Sequence, residues 1–106
     1  MEALHAEELQ VISFEIIMAS GDGRSDIHEA FGLMRNDQFD AAESKLDEAK
    51  VKINTAHHAQ TGLLQNLANG IQMPIDVLMI HAQDHLMTTM TLHEVAHEML
   101  FLHRTR

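Results

Sequence analysis

Residues 80 to 89 read IHAQDHLMTT, a polar cluster set within an otherwise apolar segment. It contains two imidazoles, a carboxylate and a carboxamide within six residues. In an α-helix, His81, Asp84 and His85 would rise from one face, because residues three and four apart are neighbours. An apolar setting disfavours the charged form of a titratable group. The segment therefore predicts a helix whose polar side chains are paired with one another, bind a metal or take part in catalysis.

Apolar periodicity predicts two further helices before this segment. The first runs from Glu2 to about Met34, and Ser20-Gly21-Asp22-Gly23 within it indicates a break or a close approach by another group. The second runs from Phe39 to about Ala68 and ends at Asn69-Gly70; Asp37 is a candidate cap before it. With the helix around residues 80–89, these predict an all-α fold. We expect one domain, residues 1–106, forming an antiparallel up-down-up three-helix bundle.

The third helix, predicted from Pro74 to about His103, has two apolar faces at about 100° per residue. The first is the expected core stripe, and it contains Leu78, Met79, Ala82, Leu86, Met90, Ala96 and Leu100, with His93 and His97. The second contains Val77, Leu92, Val95 and Met99, and shares its sector with His81, Asp84, His85 and Thr88. Three helices cover only one face well, and an exposed apolar face usually marks an interface. We therefore predict a cyclic homo-oligomer with the third helices inside.

Composition limits the possible partners and the environment. The chain has 7 Lys and Arg against 16 Asp and Glu, a net charge of −9, which argues against nucleic acid and anionic membranes as partners. It has no cysteine, so neither a disulfide framework nor a thiolate metal site is available. Neither a long apolar run nor a signal-like N-terminus is evident. We expect a cytoplasmic protein.

The sequence His93-Glu94-Val95-Ala96-His97 matches the HExxH pattern of zinc proteases, with His103 at the spacing of a third ligand. In those enzymes a glycine turns the chain before the third ligand, and here Leu100 occupies that place. An unbroken helix would separate His93 and His103 by about 15 Å, which is too far to share a metal. The spacing therefore argues against a zinc protease.

The cluster at residues 81–85 suggests phosphohistidine chemistry at His81, because a neutral imidazole is a good nucleophile near pH 7. The alternative is a structural polar network between subunits, and spacing alone does not choose between them. If Asp84 faces a symmetry axis, His81 and His85 turn toward one neighbouring protomer, and Gln83 turns toward the neighbour on the other side. Gln83 would then reach His81 of the next protomer. Carboxylates meeting on an axis repel unless they share protons or bind a hard cation such as Mg²⁺.

Several segments resemble the lactose/cellobiose-type enzyme IIA component of the bacterial sugar phosphotransferase system, over nearly the whole chain. The segment from His81 to Thr89 matches the HxQDHLMT motif of that family. Weaker similarities lie at residues 14–17 and 21–25, and in the second helix at Phe39, Ala41-Ala42, Ala56-His57 and Gln60-Thr61-Gly62. One departure is Gly23, where the family pattern has Ala, and we expect it to loosen the first helix.

The resemblance implies a homotrimer that acts as a phosphotransferase component. His81 would take a phosphoryl group from the phosphocarrier HPr and pass it to the IIB component, which phosphorylates a disaccharide entering through the membrane component IIC. Gln83 and His85 would support phosphate binding. Asp84 would gather one Mg²⁺ per trimer on the axis. The alternative is a non-enzymatic helical oligomeric scaffold with a structural metal cluster. Lactose, cellobiose and chitobiose all remain possible sugars.

Overall fold

The computed structural model describes residues 3–106 and contains three long α-helices. They are α1 (Ala6–Arg35), α2 (Phe39–Ala68) and α3 (Val77–Arg104). The predicted start at Glu2 lies outside the described residues, but residues 3–5, which were also expected to be helical, precede α1, because His5 is its N-cap. Across the described range the extended structure is a single isolated bridge, in which the backbone N–H of Leu4 donates to Gln72 O at 2.8 Å. No helix between residues 3 and 106 is long and apolar enough to cross a membrane. The all-α prediction is confirmed.

Contacts between α2 and α3 show the direction of the third helix relative to the second. Gln83 contacts Gln60, and His93 contacts Leu46. At the end of α3, Arg104 forms an ion pair with Asp40 in the first turn of α2. Residue numbers thus rise along α3 as they fall along α2, so these two helices lie side by side in opposite directions.

The core is formed by one stripe from each helix. Its residues share full or nearly full burial, and they are Leu9, Ile16, Ile27, Ala30, Met34, Ala42, Leu46, Ala49, Ile53, Ala56, Leu63, Ala82, Leu86, Ala96 and Leu100. The α3 members belong to the predicted core stripe, and His93 is buried with them. His97, which was expected on the same stripe, is exposed. It lies about 100° beyond Ala96, which turns its ring off the buried side.

The glycines of α1 do not break the helix, which is continuous from Ala6 to Arg35. Gly23 instead marks a close approach by α2. A Cβ at this position would lie 3.1 Å from Ile53 Cγ1 and 3.3 Å from the carbonyl oxygen of Ala49. The expectation of close approach is therefore confirmed, and Gly23 packs α1 tightly against α2 where we expected it to loosen the helix.

The predicted start of α3 and the predicted cap of α2 differ from the structure, whereas α2 begins at Phe39 as expected. Pro74 precedes α3, which begins at Val77, because Asp76 is the N-cap and its Oδ1 accepts from the backbone N–H of Met79 at 2.8 Å. Such a side-chain cap satisfies one of the free N–H groups at a helix start. Asp37 does not cap α2. It lies in the turn with φ of 59°, and Gln38 occupies the N-cap position.

A buried carboxylate joins α1 to α2. Asp26 is only 5% exposed, and its oxygens lie 2.7 Å from Lys52 Nζ and 3.9 Å from Lys45 Nζ. The hydrogen bond to Asp26 raises the pKa of Lys52 above its ordinary value. A buried charge needs such partners, because an unpaired carboxylate in the interior is strongly unfavourable.

Candidate functional site

The four residues singled out in the sequence lie in the second and third turns of α3. His81 and Asp84 are exposed, whereas Gln83 and His85 are partly buried. The rings of His81 and His85 lie edge to face, with centroids 5.9 Å apart and planes at 86°. The buried residues Ala82 and Leu86 anchor this part of α3 in the core. The helix thus presents an accessible imidazole on a firmly packed element.

His85 is the inner member of the histidine pair. Its Nδ1 is buried, and no group within residues 3–106 hydrogen-bonds to it. The ring packs over Gly21 of α1, where an added Cβ would lie 3.9 Å from His85 Cε1. A Cβ at Gly21 would therefore meet the ring at ordinary van der Waals distance, so α1 lies directly beside this histidine.

Gln83 is turned toward α2, away from His81 of its own chain. Its Oε1 accepts a hydrogen bond from Nε2 of Gln60 at 2.5 Å. Gln60 is one of the few polar residues that are nearly buried, at 9% exposure. From the sequence, Gln60 was expected only as part of a segment that resembles the family, with no role of its own. Its place on the otherwise apolar inner side of α2 was the signal that could have revealed it.

A second polar contact ties α1 to the site. Thr88 Oγ1 donates to the backbone carbonyl oxygen of Asp84 at 2.7 Å, as hydroxyls in helices often do. Arg24 Nη1 of α1 in turn donates to Thr88 Oγ1 at 3.4 Å. Thr88 therefore has no free proton for other groups, and Arg24 brings a positive charge to the side of the cluster that faces α1.

Asp84 fits a metal only in an assembly. Its side chain is exposed and has no ion pair or hydrogen bond within the described chain. Residues 3–106 also contain no group of three His, Asp or Glu side chains arranged to hold an ion. A hard cation takes six or more oxygen ligands, so one carboxylate per protomer is insufficient alone. Copies of Asp84 meeting on an axis would have the right donor chemistry.

The side of α3 that carries His81 and Asp84 also exposes large apolar residues at intervals along its length, and we call it the outer face of α3. Its large apolar residues are at least 39% exposed in the single chain, and they are Val77, Ile80, Met87, Val95, Met99 and Leu102. Leu92, predicted to belong to this face, instead packs partly buried against the core. So many exposed large apolar residues on one side of a helix are typical of an interface.

The HExxH residues do not form a metal site. His93 is buried, and its Nε2 lies 2.8 Å from the carbonyl oxygen of Leu46, to which it donates as a neutral ring. Burial lowers the pKa of His93, which keeps the ring neutral. The His97 ring is 4.7 Å away, edge to face. The Nε2 atom of His93 is thus already used to join α3 to α2.

Comparisons with known proteins agree with this arrangement. The family described as "PTS system, Lactose/Cellobiose specific IIA subunit" matches residues 11–104. The lactose-specific EIIA component of Lactococcus lactis subsp. lactis is 41% identical over 101 residues, covering 95% of this chain and 96% of that protein. The crystal structure of PtcA from S. mutans superposes with a TM-score of 0.94 at 55% identity, covering 95% of this chain and 99% of that one.

A third similar structure comes from a complex. It is the chain in the solution structures of the IIA(Chitobiose)–HPr complex of Escherichia coli, with a TM-score of 0.79 and 34% identity. The alignment covers 94% of this chain and 97% of that one. The family match spans the whole of α2 and α3 and most of α1, including the polar cluster at residues 81–85. The chain therefore belongs to the lactose/cellobiose-specific IIA family of the sugar phosphotransferase system.

Proposed function

We propose that His81 is the phosphoryl carrier of this protein, which takes the group from HPr and passes it to a IIB component in the cytoplasm. The observation that carries this proposal is the exposed imidazole of His81 on a packed helix, within a chain of this family. The similar E. coli chain was solved in complex with HPr, which supports HPr as the donor. The membrane component IIC would be reached only through IIB.

The transfer requires one nucleophilic nitrogen and donors for the phosphoryl oxygens. The lone pair of the unprotonated His81 nitrogen forms the N–P bond as the bond from phosphorus to the donor atom breaks, and its electrons leave with that atom. The other ring nitrogen keeps its proton. Transfer to IIB runs the same exchange with the acceptor atom as nucleophile. Gln83 and His85 stabilise the phosphoryl oxygens as hydrogen-bond donors.

The proposed working form is a trimer of up-down-up bundles with the outer faces of α3 inside. This arrangement covers the exposed apolar residues, and it brings Gln83 of one protomer toward His81 of the next. It also brings three Asp84 carboxylates together, where Mg²⁺ would be held by Asp84 of each protomer. The ion would supply positive charge that offsets the repulsion between these carboxylates.

Phosphorylation is tested with purified enzyme I, HPr and labelled phosphoenolpyruvate. We expect acid-labile label on the wild-type chain, none on His81→Ala, and normal labelling of the control His58→Ala, since His58 is an exposed histidine on α2. An unlabelled wild-type chain would reject the carrier function and favour the scaffold alternative. Labelling that persists in His81→Ala would move the site to another residue.

The assembly is tested by sedimentation. Val95→Glu places a charge on the outer face of α3 and should yield monomers, whereas Val51→Glu, at a site 67% exposed on α2, should leave a trimer. Equal behaviour of the two variants would contradict the proposed interface. Asp84→Leu should keep the trimer and lose bound Mg²⁺. Its dissociation would instead show that the carboxylates and their ion are required for assembly.

A further inference from the structure

We propose that Gln60 is a positioning residue, which fixes the side-chain amide of Gln83 so that its NH₂ group is presented to the phosphoryl group. The inference rests on the carrier function proposed for His81 and on the proposed trimer, in which Gln83 of one protomer lies toward His81 of the next. Gln60 lies on the inner side of α2 at 9% exposure, and its Nε2 contacts only groups of α3. It is 23 residues from Gln83 in sequence, so the contact depends on the fold of the bundle.

The orientation of the Gln60 amide follows from its two neighbours. Its Nε2 lies 2.5 Å from Gln83 Oε1 and 3.7 Å from the sulfur of Met87. A thioether sulfur accepts hydrogen bonds weakly and has no proton to donate. The nitrogen end of the Gln60 amide is thus favoured on this side, because the oxygen end would face the Met87 sulfur without a bond. Gln83 must then offer its oxygen to Gln60.

This fixed polarity matters because the two ends of a carboxamide have opposite roles. Phosphoryl oxygens only accept hydrogen bonds, so an NH₂ group binds them and an amide oxygen repels them. With Oε1 of Gln83 occupied by Gln60, Nε2 of Gln83 is directed away from Gln60. No hydrogen bond within residues 3–106 uses that nitrogen. Gln60 acts through Gln83, and it contacts neither His81 nor the transferred group in the single chain.

Replacing Gln60 by a group of opposite polarity gives a specific test. In Gln60→Glu the ionised carboxylate only accepts, so Gln83 rotates to donate to it and turns its oxygen toward the phosphoryl group. We expect the initial rate of labelling at pH 8 to fall about tenfold, because one hydrogen bond to the phosphoryl group is lost in the transition state. In Gln60→Met the Gln83 amide is free to take either orientation, and we expect a fall of about two- to threefold.

The pH profile separates positioning from a structural role. Burial raises the pKa of a carboxyl group, and protonated Glu donates again, so the Gln60→Glu rate should recover relative to wild type as pH falls from 8 to 6. Gln65→Glu, an exposed change of equal charge on α2, should match wild type throughout. A purely structural role would make Gln60→Met at least as slow as Gln60→Glu and remove the recovery.

A double-mutant comparison keeps the inference testable if Gln60→Glu fails to fold. Gln83→Met alone should slow labelling, and adding Gln60→Met should slow it no further, because Gln60 works through Gln83. Additive effects would overturn the inference. So would a wild-type rate in Gln60→Glu at pH 8. An unlabelled wild-type chain would overturn the carrier function itself, which distinguishes the two failures.

Discussion

His93 should make the stability of the bundle depend on pH in a predictable way. Its ring is 6% exposed, and its Nε2 lies 2.8 Å from the Leu46 carbonyl oxygen on the facing helix. Burial lowers the pKa of His93 in the folded chain, with the neighbouring His97 and Lys50 acting in the same direction and Asp47 opposing them. The hydrogen bond to Leu46 partly offsets the effect of burial. The unfolded chain therefore binds a proton at this ring before the folded chain does.

The size of the effect follows from linkage between proton binding and folding. The stabilising contribution of neutral His93 is complete above the unfolded-state pKa of about 6.5 and is lost as the pH falls below it. The slope is at most about 1.4 kcal/mol per pH unit while the folded ring stays neutral. At pH 7.5, His93→Gln should reduce the free energy of unfolding by about 1 kcal/mol, because the flexible Gln side chain loses more rotamer freedom on burial and fills the space of the ring less well.

Urea denaturation between pH 7.5 and 5 measures this dependence at one fixed protein concentration, because assembly also affects stability. The advantage of wild type over His93→Gln should shrink as the pH falls below about 6.5. The contributions of the titratable groups that both chains share cancel when the two free energies of unfolding are subtracted. His58→Gln, which removes an exposed histidine, should show a constant difference near zero. A constant difference for His93→Gln over the same range would refute the argument.

Two further changes test packing and charge. An added Cβ at Gly62 meets nothing within 4 Å, so Gly62→Ala should raise the free energy of unfolding by about 1 kcal/mol through helix propensity. Gly23→Ala should give no such gain, because its Cβ would meet a side chain of α2 at 3.1 Å. Equal gains in urea denaturation would contradict the close contact. Lys52→Met should lower the thermal midpoint more than Lys50→Met, because only the first leaves the buried Asp26 without its 2.7 Å partner. Equal midpoints would show that Asp26 is satisfied without Lys52.

Much of the fold could be predicted from apolar periodicity alone. The C-terminal ends of α1 and α2 lie within a residue of the predicted ones, because turn residues and Gly70 interrupt a strong helical pattern. The start of α3 was misplaced because proline and aspartate are both common at helix starts. Only the structure shows that the Asp76 side chain makes the capping bond. The effect of Gly23 was wrongly predicted for a similar reason, since a sequence does not show which neighbouring helix approaches a glycine.

The site was predicted in part. Helical spacing correctly brought His81 and His85 together, as their adjacent rings show. It also turned Gln83 to the other side, because that relation depends only on helix geometry. The contact of Gln83 with Gln60, the packing of His85 over Gly21 and the link from Arg24 to Thr88 all join different helices. Such contacts depend on the register between helices, which no local pattern specifies.

The continuity of α3 has a consequence for how the partners recognise this protein. His81 lies on a helix that runs unbroken from Val77 to Arg104, and the buried Ala82 next to it holds that turn in the core. Within α3 itself, the continuous helix around His81 provides no hinge that could change shape when the proposed phosphoryl group is gained or lost. If His81 is the carrier that we propose, a partner protein must distinguish the phosphorylated from the unphosphorylated form at the ring itself. We then expect the unphosphorylated chain to compete with the phosphorylated chain for the acceptor, and so to slow transfer by product inhibition.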